Sequence, residues 1–221
     1  MARETLMAVG LRERQKQDRR VRIIAAARRL FAESGPENIT IEAIAEIAGV
    51  SSVTVHNYYG TKSGVLLALV AESDRELIDT LSEKLAGRST DLIGLVLGFA
   101  AIIFDHTLTH LDKAIWRKVI AASVSDPDPR FGTLYRALDD RLASVLVDEV
   151  AGLIDKGLVS TASSAGDLGR ALFSLQNMRF IEFISSDEMS RDATLQRLER
   201  DLVALLGPAG RAVPAGNGQP G

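Results

Sequence analysis

TIEAIAEIAGVSSVTVHNYYGTK, residues Thr40 to Lys62, is the stretch that decides the fold. Ile41, Ile44, Ala45 and Ala48 recur at the spacing that lines one face of a helix, and Thr40 before them is a good N-cap. Gly49 can take the left-handed conformation that ends a helix and turns the chain. Ser51 or Ser52 then caps a second helix running to about Tyr59. Two short helices joined by a tight turn containing glycine form a helix-turn-helix.

The second helix has a distinctive surface. With Val50, Val55 and Tyr59 turned toward the first helix, Ser52, Val53, Thr54, His56, Asn57 and Tyr58 are left outward, and no acidic residue stands among them. Hydroxyls and an amide there can hydrogen-bond base edges and phosphate oxygens in a major groove, and methyl groups can meet thymine. Gly60 closes the helix and Thr61 caps the next, which puts Lys62 in that helix's first turn. A cation there opposes the helix dipole, so folding alone does not favour it, whereas a phosphate docked at the same helix end does.

These elements together resemble the DNA-binding domain of the tetracycline-repressor (TetR-like) family of bacterial transcription regulators. The resemblance runs from Val21 to Val70. It is carried by the alanine-rich helix ending Leu30, Phe31, Ala32, Glu33 and Gly35, by the IAxxAGVS turn from Ile44 to Ser51, and by Thr54 through Lys62. One departure is His56, where the family usually has tyrosine, so that contact is not carried over. The resemblance implies an all-α protein, with an N-terminal three-helix helix-turn-helix domain followed by a C-terminal helical ligand-binding and dimerisation domain. It implies a regulator, most simply a repressor released from a pseudopalindromic operator by a small-molecule effector, and a homodimer formed through the last two helices.

Composition agrees with that frame. At 221 residues the chain has room for one large or two smaller domains. The absence of cysteine excludes a disulfide framework, a thiolate metal site and a cysteine nucleophile. No signal peptide is apparent at the N-terminus, and a cytoplasmic protein is expected. The uncharged run from Leu92 to Phe104 is short of the roughly 20 residues that span a bilayer, so it reads as a buried helix and no membrane partner is expected. The net charge of −3 hides an asymmetry: residues 1–62 carry 10 Lys and Arg against 7 Asp and Glu, leaving the remainder acidic. A basic end on an acidic protein marks the end that meets a polyanion.

Taken in order, residues 1–17 lack apolar periodicity and read as a mobile basic arm, and Arg12, Arg14, Lys16, Arg19, Arg20 and Arg22 can reach phosphates or an adjacent minor groove as such arms do elsewhere. Residues 18–64 form the DNA-binding domain, with the helix-turn-helix at about 40–59. Its first helix runs from about Asp18 to Ser34 and is stopped by Gly35 and Pro36. Residues 65–207 read as helices throughout: Thr61 to about Ala86, Leu92 to Leu108, Ala114 to Val124, then, after the DPDP turn at Asp126 to Pro129, about Arg130 to Lys156, Ala165 to Ile184 and Arg191 to Leu206. The last two carry large apolar residues on more than one face, including Leu168, Leu172, Leu175, Met178 and Phe180, which suits packing against a second copy. The tail, residues 208–221, is rich in Gly, Pro and Ala and is expected to be disordered.

Phe99, Phe104, His106, Trp116, Arg117, Phe173, Asn177 and Phe180 are the candidate lining of an effector pocket, since they mix apolar wall with polar anchors. His106 and His110 sit four apart with Asp105 and Asp112 nearby, a spacing able to hold zinc, but a third well-placed ligand is lacking, so neither metal nor cofactor is expected. Gly94 and Gly98 form a GxxxG that reads as a packing device. There is no phosphate loop, GxSxG elbow or HExxH, so no enzyme is expected. The alternatives are a helical ligand-binding protein whose helix-turn-helix has lost DNA binding and a metal-using helical enzyme.

Overall fold

The structure, a computed structural model, describes residues 2–34, 38–125 and 129–207. Over these the chain forms nine helices and no strand: α1 Ala2–Ser34, α2 Ile41–Ala48, α3 Ser52–Tyr59, α4 Lys62–Leu85, α5 Leu92–His110, α6 Lys113–Ser125, α7 Pro129–Asp155, α8 Ala165–Ser185 and α9 Arg191–Leu206. The expected tail at 208–221, the Gly35–Pro36 stop and the turn at 126–128 lie outside the described residues.

The chain divides into two compact units, Met1–Ser73 with Ala114–Tyr135, and Asp74–Lys113 with Arg136–Gly221. The sequence reading puts a single boundary after residue 64. The divisions between the two units fall inside α4, just after the first residue of α6 and inside α7, and an uninterrupted helix offers no compositional break at which such a division could be read.

In the first unit α1 packs on α2 and α2 on α3. Ile23, Ala27 and Phe31 of α1, Ile44 of α2 and Val55 of α3 are wholly buried. Removing a large one such as Phe31 would cost about 3–5 kcal/mol. One expectation is corrected here: residues 2–17, read as an arm outside the first helix, are its first half. The search for apolar periodicity passed over them because their sequence carries no apolar stripe. Their Arg, Glu, Leu, Met, Ala, Gln and Lys are nevertheless strong helix formers, and the turns from Asp18 onward supply the nucleus that a short isolated helix lacks.

The second unit is built on α5, α8 and α9. Leu95, Val96, Phe99 and Phe104 of α5 are wholly buried, and Phe104 stacks on Phe183 at 5.0 Å and on Phe180 at 6.1 Å. By length and composition α5 is long and apolar enough to cross a membrane, but half of its apolar window is buried inside the protein, the position of a core helix. Gly169 of α8 sits so close to α7 that a Cβ there would fall 2.8 Å from the Cα of Val147. Asp74, 4% exposed, is held by Arg141 at 2.9 Å; its burial raises the carboxyl pKa and the arginine opposes that shift. Lys113 donates to the carbonyls of Ser186 at 2.8 Å and Met189 at 2.7 Å, with its ammonium 4.0 Å from the centre of the Phe183 ring. Between α8 and α9, Arg179 bridges Glu182 and Asp201, and Arg197 reaches Glu182.

Candidate functional site

The helix-turn-helix forms as its residues dictate. Thr40 caps α2 by accepting from the Ala43 amide at 3.1 Å. Gly49 adopts φ 65° and ψ 41°, with its amide on the Glu46 carbonyl and that of Val50 on the Ala45 carbonyl, which satisfies two end carbonyls of α2. Ser51, rather than Ser52, caps α3, accepting from the Thr54 amide at 3.2 Å, and its hydroxyl lies 2.9 Å from the Thr54 hydroxyl.

Val55 is buried beneath α3, and none of the expected contact residues is. Val53 is 64% exposed, His56 and Asn57 are exposed, and Ser52, Thr54, Tyr58 and Lys62 are partly so. Together they make an accessible, acid-free face of hydroxyl, amide, imidazole, phenol and methyl groups, with a lysine at its end. His56 Nδ1 lies 2.8 Å from the Gly60 carbonyl and must donate to it, which leaves Nε2 as the nitrogen available to an outside partner.

The turn after α3 is tighter than the sequence suggested. Gly60 has φ 72° and ψ −64°, and the Thr61 amide donates to the Tyr59 carbonyl at 2.8 Å, a γ-turn that strains any residue with a Cβ. Thr61 then caps α4, accepting from the Gly64 amide at 3.1 Å. A Cβ on Gly64 would fall 1.9 Å from the Tyr59 carbonyl oxygen, so this glycine sets how closely α4 approaches the end of α3.

Sequence reasoning missed one contributor, Gly64, which nothing local marks. Arg20 and Arg22, expected as cations that reach phosphates, also sit against the motif: the Arg20 guanidinium carbon lies 5.6 Å from the centre of the Tyr58 ring, and the Arg22 guanidinium lies beside Gly49. Burial raises the pKa of Tyr59, with Arg20 opposing and Glu72 adding to the shift, so its hydroxyl stays protonated.

Of the expected pocket residues, Trp116 and Arg117 belong to the first unit and the other six to the second. Phe104 and Phe180 lie in the stacked core, while Phe99 meets Phe173 edge-on at 6.2 Å. Phe173 and Asn177 line a cavity of about 360 Å³ between α7 and α8, with Arg136, Asp139, Asp140 and Arg170 also on its wall. Asn177 Nδ2 donates to Asp139 at 3.5 Å. The Asp139 pKa is raised to about 6, first by burial and then by Asp140 and Asp74, the asparagine opposing. Gln176 is not on this cavity's wall: it is 1% exposed on the core face of α8 between Phe173 and Phe180, and its Oε1 has no hydrogen-bond partner among the described residues. His106 is partly exposed on α5, and the His106–His110 pairing lies partly outside the described residues, because the His110 side chain is not among them.

Residues 23–69 match the family described as bacterial regulatory proteins, tetR family. The transcriptional regulator BetI of Stenotrophomonas maltophilia is 30% identical over 137 residues, covering 62% of this chain and 69% of its own length. The fatty acid metabolism regulator protein of Bacillus subtilis is 29% identical over 99 residues, 43% of this chain and 51% of the relative. Among solved structures, Thermus thermophilus FadR, a TetR-family repressor determined with lauroyl-CoA, superposes with a TM-score of 0.68 at 24% identity, covering 91% of this chain and 99% of its own. An acid-free helix held between two glycine turns, at the position where these regulators match it, makes the chain a DNA-binding transcription regulator that belongs to the TetR family.

Proposed function

We propose that the protein is a homodimeric repressor, in which each α3 enters one major groove of a pseudopalindromic operator and a small molecule bound in the second unit lowers that affinity. Ser52, Val53, Thr54, His56, Asn57 and Tyr58 meet base edges and phosphates, and Lys62 holds a phosphate at the start of α4. The observation that carries the reading is the accessible, acid-free face of α3, fixed in place by Gly49 and Gly60. Base edges discriminate only when the reading helix is held in a set register, and these two turns supply it.

Dimerisation through α8 and α9 is supported by apolar side chains they leave in solvent: Met178 is 62% exposed, Val203 41% and Leu205 69%. Such side chains on neighbouring helices are the usual basis of a self-complementary interface. The effector reading is supported by the α7–α8 cavity, whose wall sets Phe173 beside the polar groups of Asn177, Asp139 and Arg170. Because the effector favours one of two dimer states, its binding and operator binding are reciprocally coupled. The reading assigns the chain no catalytic step and places its action where a bacterium keeps its DNA, in the cytoplasm.

The test is selection of duplexes from a random library by the full-length protein, followed by titration of the selected duplex. An inverted repeat bound by a dimer is expected. Lauroyl-CoA and choline, named with two structural neighbours, are the first effector probes. Recovery of sequences without inverted symmetry, or by a monomer, would refute the reading.

A further inference from the structure

On α1 the residues Arg12, Lys16 and Arg19 continue, in steps of four and three, the series Ile23, Ala27 and Leu30 that faces the helix-turn-helix. Ile23 and Ala27 are wholly buried there, whereas Arg12 and Lys16 are accessible to solvent. A single helix face thus changes from apolar to cationic at the point where α1 overhangs the bundle. Arg20 flanks this face and stacks on Tyr58, which ties the start of the overhang to α3. With a rise of 1.5 Å per residue, Arg12 stands about 12 Å beyond Arg20 along a rigid helix. Two carboxylates stand near the ridge: Glu13 lies 3.9 Å from Lys16 and is well exposed, and Asp18, also exposed, lines the same recess as Arg19, whose Nε donates to the Gln15 carbonyl at 3.1 Å and leaves the rest of its guanidinium for an outside anion.

We infer that this overhang is a second DNA contact: a helical ridge of Arg12, Lys16 and Arg19 that lies along the sugar-phosphate backbone outside the groove read by α3. The inference rests on the DNA reading above. It replaces a flexible arm searching the minor groove with a preordered rail, whose contacts carry no base information and whose contribution depends on salt. A ridge about 10 Å long passes several of the charges that a duplex carries at about one per 1.7 Å of axis. A rigid rail also spends no ordering entropy on docking, which a disordered arm must.

The experiment compares the full-length protein with the triple variant Arg12→Gln, Lys16→Gln, Arg19→Gln and with Arg14→Gln, whose side chain projects from the opposite side of α1. Glutamine keeps the helix, which far-ultraviolet circular dichroism checks. The probes are a duplex selected by the wild-type protein and a random-sequence duplex, titrated between about 50 and 200 mM KCl. The triple variant should lower the slope of log affinity against log salt by about 2.7 per protomer, weaken both probes by the same factor, and shorten the hydroxyl-radical footprint at its outer edges. Arg14→Gln should leave slope and footprint as they are. An unchanged slope in the triple variant, or an equal loss in Arg14→Gln, overturns the ridge while leaving the α3 reading intact, provided Asn57→Ala still erases preference for the selected duplex. A wild-type protein that prefers no duplex overturns both.

Discussion

Replacing Gly64 by alanine sets two effects of opposite sign against each other. Within a helix, alanine is favoured over glycine by about 1 kcal/mol, so propensity alone predicts a more stable protein. The geometry predicts the reverse. The new Cβ would lie 1.9 Å from the Tyr59 carbonyl oxygen and 3.0 Å from its carbon, closer to the oxygen than real Cβ atoms come. Relief requires a shift of more than an ångström, and the obstructing atom is backbone, itself bonded to the Thr61 amide at 2.8 Å. Overpacking of this kind costs about 1–3 kcal/mol, and a carbonyl that cannot rotate away puts it near the top of that range. A net loss of about 2 kcal/mol should lower the melting midpoint by about 4–8 °C. Gly152, inside α7 with open space for 4 Å around the place an added methyl would take, is the control. Gly152→Ala should raise the midpoint by about 2–4 °C. Differential scanning fluorimetry of the two variants and the wild type decides the matter. A Gly64→Ala protein as stable as Gly152→Ala would mean that α4 does not press against α3 as described.

Four further outcomes are expected. Asn57→Ala should abolish discrimination between a selected and a random duplex, whereas Lys62→Ala should weaken both and reduce the salt slope by about 0.9 per protomer, as measured by fluorescence anisotropy. Gln176→Met should stabilise the protein by about 1 kcal/mol in urea denaturation, because it removes an unmatched acceptor at nearly constant volume. The Asp139 carboxyl has a folded pKa of about 6, above its ordinary 3.8, so the native state holds the extra proton between these values and its stability falls as pH rises through that window. Asp139→Asn should therefore gain stability over wild type at about pH 7.5 and lose that advantage near pH 4, seen by comparing denaturation midpoints. Met178→Glu with Val203→Glu should shift the sedimenting species from dimer to monomer without changing the helical content; a persisting dimer would remove α8 and α9 from the interface.

The short elements were the most legible. Thr40, Gly49, Ser51 and Gly60 each carry a local reason for stopping or starting a helix, and α2 and α3 begin and end where those residues say. What escaped had no local signature. The first half of α1 is helical without an apolar stripe, and Arg12, Lys16 and Arg19 come into line with Ile23 only when the helix is followed back from it. Gly64 looks like any glycine near a helix start until the Tyr59 carbonyl is placed beside it. The pocket was the least legible, because a phenylalanine at helical spacing reads the same whether it meets another ring, as Phe104 does, or edges a cavity, as Phe173 does.

The lysine at the head of α6 has a bearing on how this chain can evolve. Connectors between helices ordinarily accept insertions, since their backbone answers to water. Here the carbonyls of Ser186 and Met189, at opposite ends of the short link into α9, converge on the one ammonium of Lys113. Lengthening the link by a residue would pull one carbonyl off that nitrogen and re-aim α9, so this surface segment should resist changes of length as stubbornly as an interior position resists changes of size.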